Sequence, residues 1–172
     1  MKKVLITGFT GMVGSHLGDF LLKNTNYKIY GACRWRSPLD NIMHLSNEIN
    51  KNKRIILKYL DLTDYSSVSK VIKEVKPEIV FHLAAQSFPK ASFEMRDVTY
   101  DTNIMGTDRL LNCIKEAKIN PIIHVCSSSE VFGKVDKKDL PIKEKNIFHP
   151  ASPYAISKIG TDYIAKYYFE AF

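Results

Sequence analysis

The chain has 172 residues, enough for one domain with a core of its own. Its 45% hydrophobic and 25% charged residues suit a globular protein and exclude collagen-like or low-complexity classes. Lysine and arginine (25) exceed aspartate and glutamate (18), but apart from a loose set between Lys134 and Lys145 the lysines are scattered and carry no aromatic–basic motif. The excess therefore points to an anionic small molecule, with no nucleic acid expected. No stretch reaches the roughly 20 apolar residues of a membrane span. The apolar run after Met1 stops at Thr7-Gly8, too early for a secretion signal, so no membrane partner and a cytoplasmic location are expected. Cys33, Cys113 and Cys126 are odd in number and lack CxxC spacing, so they read as buried small apolar residues, with no disulfide framework and no metal site.

Short β-branched runs alternate with amphipathic stretches, the pattern of βαβ units on a parallel sheet and hence of an α/β fold. The expected order is a strand over Lys3–Thr7, a helix over Met12–Asn24 with Val13, Leu17, Leu21 and Leu22 inward, and a strand over Lys28–Cys33. A strand over Arg54–Tyr59 follows, then a helix over Asp64–Val75 with Thr63 as its cap and Asp64 in its first turn. Pro77 closes that helix. A fourth strand covers Glu78–His82, a long helix Val98–Ala117, and a fifth strand Pro121–Cys126. A last helix starts at Ser152-Pro153, a cap followed by proline in the first helical position. Two connections, 35–53 and 127–151, are long enough to expect a functional role, and both follow the carboxyl ends of strands.

The first strand runs straight into Gly8-Phe9-Thr10-Gly11-Met12-Val13-Gly14 and then a helix. Glycines in that place permit a tight turn, a close approach of backbone to a diphosphate and close packing of helix on strand. The helix start then offers free N–H groups to the phosphates. Gly8, Thr10, Gly11, Met12, Val13 and Gly14 are the candidate dinucleotide contacts. Dinucleotide sites that prefer NAD usually carry an acidic residue at the end of the second strand. Here that place reads Cys33-Arg34-Trp35-Arg36-Ser37. Arg34 and Arg36 suit a 2′-phosphate, so NADP is the expected cofactor, unless both are merely solvated loop charges. Asp61 and Leu62 fall where the adenine should lie, Asp61 either accepting from the adenine amino group or serving as a turn residue. Leu83, Ala84 and Ala85 are small or apolar residues that let the chain pass close to the cofactor.

Tyr154 and Lys158 are four apart and share a helix face. An ammonium beside a phenol favours the phenolate and makes Tyr154 a usable general base. Ser127-Ser128-Ser129-Glu130 lies about one loop upstream, at the end of the fifth strand. Interconverting an alcohol and a ketone needs only a hydroxyl, a tyrosine and a lysine. An added carboxylate, Glu130, can remove a proton next to a ketone, which suggests elimination; a structural capping role is its alternative.

The stretches GFTGMVGSHL, CRWRSPLDNI, LDLTD, FHLAAQS, NIMGT, SSSEVFGKV and SPYAISK span nearly the whole chain. In order and spacing the chain resembles the extended short-chain dehydrogenase/reductase family, especially its GDP-mannose 4,6-dehydratases. The resemblance implies a Rossmann-like doubly wound parallel sheet of order 3-2-1-4-5, an NADP-binding domain over residues 1–172. It also implies a truncation before strand six and the substrate domain, which would leave strand five as an exposed edge. For the chemistry it implies a nucleotide-sugar substrate. Tyr154 takes the 4-hydroxyl proton as hydride leaves C4 for NADP⁺, Glu130 takes the C5 proton, Ser128 assists loss of the 6-hydroxyl, and hydride returns to C6. Lys158 holds the nicotinamide ribose, and Gln86 and Ser87 touch substrate with Ser128 and Glu130. A homodimer through helices 98–117 and 153–172 is implied too, with Ile104, Leu110, Ile164 and Tyr167 as candidate contacts and core packing as their alternative. Dehydratases usually have threonine in place of Ser128; serine keeps the hydroxyl. Ser129 resembles the GDP-mannose type, and Asn103 follows the wider family. Keto-sugar reductases share FHLAAQS and a similar serine–glutamate run, so a reductase, a 4-epimerase or a non-catalytic NADP-binding module stay open, with EVFGKV and the two-arginine loop favouring the dehydratase.

Overall fold

The computed structural model describes residues 1–52 and 54–172. The β-branched runs form five strands, β1 (Lys3–Thr7), β2 (Lys28–Cys33), β3 (Ile55–Tyr59), β4 (Ile79–His82) and β5 (Ile122–Val125). They pair in parallel in the order β3-β2-β1-β4-β5, a Rossmann-like sheet as expected. The chain steps outward from β1 to β3 and then returns to the other side of β1, so the order reverses between β1 and β4. In open α/β sheets ligands bind beyond the carboxyl ends of the strands at such a reversal. Val4, Leu5 and Ile6 of the central strand are fully buried, as a parallel sheet covered on both faces requires. Strand β5 lies at one edge of this sheet, with Ile122 exposed.

The chain divides into two compact units, Met1–Ala84 with Arg109–Cys126, and Ala85–Asp108 with Ser127–Phe172. The first contains the sheet. Its core gathers Val4, Ile6, Phe9, Leu21, Ile29 and Ile55. Phe9, to which the sequence pattern gives no packing role, fills the space left by Gly31, where a Cβ would come within 2.3 Å of its ring. Ile42 and Leu45 join the same core from a 3₁₀ turn over Asp40–Leu45. Much of the connection 35–53 is therefore a cover for the core; its final residue, Lys53, lies outside the described residues.

Helix α1 (Met12–Asn24) has the expected span but a different inner face. Gly14, Ser15, Gly18 and Leu21 are buried, Leu17 and Leu22 are partly so, and Val13 is 55% exposed. Small residues let α1 approach closely along their own stripe, which turns Val13 outward. Helix α2 (Tyr65–Val75) is capped by Asp64 and not by Thr63. The two carboxylate oxygens of Asp64 accept from the N–H groups of Ser66 (3.0 Å) and Ser67 (3.1 Å), satisfying two orphan donors where a hydroxyl serves fewer. Lys76, in the left-handed conformation at φ 46°, ends α2 just before Pro77.

The helix expected over Val98–Ala117 is composite. After a short turn, α3 (Pro89–Ser92), helix α4 (Arg96–Tyr100) passes into a wide π turn over Asp101–Met105 and then into α5 (Gly106–Glu116). A π turn rotates the face presented by the next helical residues. Leu110, Leu111, Cys113 and Ile114 of α5 are buried, so Leu110 is a core residue and not an outward contact. Ile104 is half-buried against Gly160, Ile164 is half-buried, and Tyr167 is exposed. Helix α6 (Pro153–Ala171) starts as expected, with the Ser152 hydroxyl accepting from the Ala155 N–H at 3.0 Å and proline in the first position. In the second unit the segment before α6 packs on it through aromatic rings, Phe132 on Phe148 and Phe148 on Tyr163 at 5.5 and 6.4 Å between centroids. Among the described residues no helix is long and apolar enough to cross a membrane.

Candidate functional site

The chain turns as soon as β1 ends. Gly8 sits at φ +69°, and a Cβ on it would stand 2.9 Å from the backbone of Ala84 at the end of β4. The Gly11 N–H closes the turn onto the Gly8 carbonyl at 3.0 Å. A Cβ on Gly14 would meet the Gly8 carbonyl oxygen at 2.5 Å and the Cα of Phe9 at 2.8 Å. Helix α1 begins at Met12 with no side chain capping it. Such a start presents N–H groups and the positive end of the helix dipole, the features that hold an anion. Met12 and Val13 lie exposed on its first turn, and the Thr10 carbonyl accepts from the Asn41 amide at 2.9 Å.

Thr7 organises this turn from beneath, a role no sequence pattern displays. Its buried hydroxyl accepts from the N–H groups of Leu83 and Ala84, both at 3.1 Å, and lies 2.9 Å from Nδ1 of His82. With both lone pairs taken, the hydroxyl is left to donate its proton toward Nδ1.

Beyond the carboxyl ends of β2 and β3 lies a cleft of about 500 Å³, lined by Arg34, Trp35, Arg36, Tyr59, Asp61 and Ser67 among others. The two arginines and Asp61 singled out from the sequence thus share one cavity. Asp61 serves as a turn residue through one oxygen, which accepts from the N–H (2.9 Å) and the hydroxyl (2.8 Å) of Thr63. Leu62 is a buried residue whose carbonyl accepts from Arg109. Burial pushes the Cys33 thiol up, so it stays protonated and packs as an apolar group.

The second unit carries the acid–base residues. Tyr154 and Lys158 come off the first turns of α6, and both are buried. The Tyr154 N–H donates to the Ser92 hydroxyl at 3.1 Å. Between them, Ser157 donates to the Tyr154 carbonyl (2.7 Å) and accepts from the Asn103 amide (2.8 Å). Asn103, in the π turn, also grips the Gln86 backbone, accepting from its N–H at 2.7 Å and donating to its carbonyl at 3.1 Å. A buried amide with its partners in place fixes geometry firmly. Ala85 and Gln86 are half-buried and Ser87 is exposed. The Gln86 side chain is engaged in its own turn, donating to the Phe88 carbonyl (3.2 Å) and accepting from the Phe88 N–H (3.1 Å).

Ser128 caps a 3₁₀ turn over Ser129–Phe132, its hydroxyl accepting from the Glu130 N–H at 3.2 Å. Glu130 is exposed, and among the described residues nothing pairs with its carboxylate. Ser127 donates to Asp162 at 2.7 Å, one turn beyond Lys158, which ties the serine run to the helix of Tyr154 and Lys158. No local sequence signal marks Asp162; the pairing exists only once α6 and the serine run meet. The unit therefore holds a phenol, an ammonium, a hydroxyl and a carboxylate, the groups needed for proton transfer at a carbinol and beside a ketone.

A family model described as GDP-mannose 4,6 dehydratase matches residues 5–172. The GDP-mannose 4,6 dehydratase of Drosophila melanogaster is 39% identical, covering 99% of this chain and 44% of its own length. That of Yersinia enterocolitica is 37% identical, covering 100% of this chain and 47% of its own. The chain thus spans about half the length of the curated relatives it matches. Among solved structures, a dTDP-glucose 4,6-dehydratase from Streptomyces venezuelae with NAD bound is similar at a TM-score of 0.84 and 27% identity, over 98% of this chain and 52% of that one. With the match running from residue 5 to the last, the chain belongs to the GDP-mannose 4,6-dehydratase family.

Proposed function

We propose that residues 1–172 form the NADP-binding domain of a nucleotide-sugar 4,6-dehydratase, a lyase that turns GDP-mannose into GDP-4-keto-6-deoxymannose. The residues fit a dinucleotide. The Gly8–Gly14 turn is packed so closely on the backbone of Ala84 and Phe9 that a Cβ at Gly8 or Gly14 would collide with main chain, and the uncapped start of α1 borders it. Gly8, Thr10, Gly11, Met12, Val13 and Gly14 receive the diphosphate. Arg34 and Arg36 hold a 2′-phosphate, Asp61 and Leu62 border the adenine, and Leu83, Ala84 and Ala85 let the chain pass close. When bound, the nicotinamide supplies a hydride acceptor for C4 that gives the hydride back at C6.

The other steps belong to side chains. Lys158 holds the ribose hydroxyls and favours the phenolate of Tyr154. Tyr154 takes the proton of the sugar 4-hydroxyl. The ketone so formed acidifies C5–H, and Glu130 removes that proton. Glu130 passes that proton, with the Ser128 hydroxyl assisting, to the 6-hydroxyl, which leaves as water; C5 takes up a proton from solvent when C6 is reduced, and the proton held by Tyr154 goes to solvent. Gln86 and Ser87 border the sugar. Glu130 carries the elimination reading, because hydride transfer alone does not need it and no partner among the described residues occupies its carboxylate. A cytoplasmic location goes with this reading. So does a homodimer through helices 98–117 and 153–172, supported by exposed Tyr163, Tyr167 and Phe169 on α6.

The relatives support a nicotinamide dinucleotide, and the two arginines select NADP over NAD. Calorimetric titration tests this. NADP⁺ is expected to bind about 10- to 100-fold more tightly than NAD⁺, the ratio that charge-assisted hydrogen bonds of about 1.5–3 kcal/mol imply. Equal or tighter binding of NAD⁺ contradicts it.

A further inference from the structure

Trp35 is 74% exposed and Tyr59 is 64% exposed, yet both line the cleft that holds Arg34, Arg36 and Asp61. Large rings left in water at one concave place mark a surface shaped for a flat partner. Their position follows from the strand register. Cys33 pairs with Tyr59, so Trp35, two residues on, and Tyr59 leave neighbouring strands at the same end. Thr7 pairs with Ala32, which puts the glycine turn one strand further along. Two strand spacings amount to about 10 Å, within reach of a nucleoside phosphate whose diphosphate rests on that turn. The arginines flank Trp35 in sequence and bring two positive charges to the same cleft.

We infer that Trp35, with Tyr59 lining the same cleft, is a stacking surface for the adenine ring of the dinucleotide. Base–aromatic stacking tolerates any purine and ignores the 2′-substituent. Trp35 therefore sets affinity for the adenosine half, while Arg34 and Arg36 set the choice between NADP and NAD. This division of labour rests on the cofactor reading above and adds residues to it that the sequence did not single out.

Trp35 is the sole tryptophan of the chain, so its emission reports on this place alone. The chain is titrated with NADP⁺, NAD⁺, 2′,5′-ADP and nicotinamide mononucleotide, following tryptophan fluorescence and heat in parallel. The three ligands that contain adenine are expected to quench Trp35 with the midpoint read by calorimetry, and the mononucleotide is expected to leave it unchanged. Trp35→Ala is expected to weaken NADP⁺ and NAD⁺ by the same factor, about 10, and Trp35→Phe to restore most of the loss. The side chain is exposed, so its removal leaves the core intact, which a thermal melt verifies. Calorimetric binding without any change in Trp35 emission, together with full affinity in Trp35→Ala, overturns the inference and leaves the cofactor reading standing. If the unaltered chain binds no dinucleotide at all, the cofactor reading itself falls, and the stacking role with it.

Discussion

In a full-length dehydratase carrying these residues, exchanging Glu130 for glutamine is expected to suppress formation of the 4-keto-6-deoxy sugar by about 10²- to 10⁴-fold, the usual worth of a positioned general base. The amide keeps the size and polarity of the side chain and loses its basicity. Glu130 is exposed and bonded to Ser128 only through its backbone N–H, so the exchange leaves folding and melting temperature as they were. Proton removal from C5 fails, whereas hydride exchange at C4, which depends on Tyr154 and Lys158, persists. The readouts are product mass after incubation with GDP-mannose and NADP⁺, and isotope exchange at C4. Near-parental product formation by the glutamine variant removes Glu130 from the chemistry and leaves it a surface residue beside a capping serine.

The second large effect belongs to the glycine turn. Gly14→Ala places a methyl 2.5 Å from the Gly8 carbonyl oxygen and under 3 Å from the backbone of Phe9. All three neighbours are main chain, so relief requires α1 to move away from the turn. A loss of about 1–3 kcal/mol in stability is expected, the range for overpacking a tight site. Loss of measurable NADP⁺ binding is expected with it, because the helix start leaves its place. Gly11→Ala is the contrast. Its methyl meets only the Gly8 carbonyl oxygen, at 3.2 Å, and Gly11 is exposed, so the domain folds while the approach of the diphosphate is crowded. Denaturant melts and calorimetry separate the two. A Gly14→Ala variant with parental stability and affinity contradicts the role given to the turn.

Much of the sheet and the positions of the candidate residues are legible in the chain because they depend on local pattern. The β-branched runs, the glycine spacing and the Ser152-Pro153 start of α6 need no distant partner to be read. What escapes is set by tertiary contact. Asp64 outcompetes Thr63 as a cap because a carboxylate accepts from two N–H groups at once. Val13 faces outward because Gly14 and Gly18 determine which side of α1 can come close. Leu110 is core because α5 comes after a π turn that an ideal helical repeat does not contain. The grip of Asn103 on Gln86 and Ser157 joins residues 17 and 54 positions away, so no window of sequence displays it. The turn that the Gln86 side chain closes onto Phe88 is likewise not announced by any residue pattern.

The proposed chemistry is an elimination in which the hydride leaving C4 returns to C6 of the same sugar. Supplying GDP-mannose deuterated at C4 with unlabelled NADP⁺ tests this most directly. The expected result is a 4-keto product carrying the deuterium at C6, with none in free NADPH. Label released into the cofactor pool, or kept at C4 of an isomerised sugar, would contradict it and point to a reductase or an epimerase.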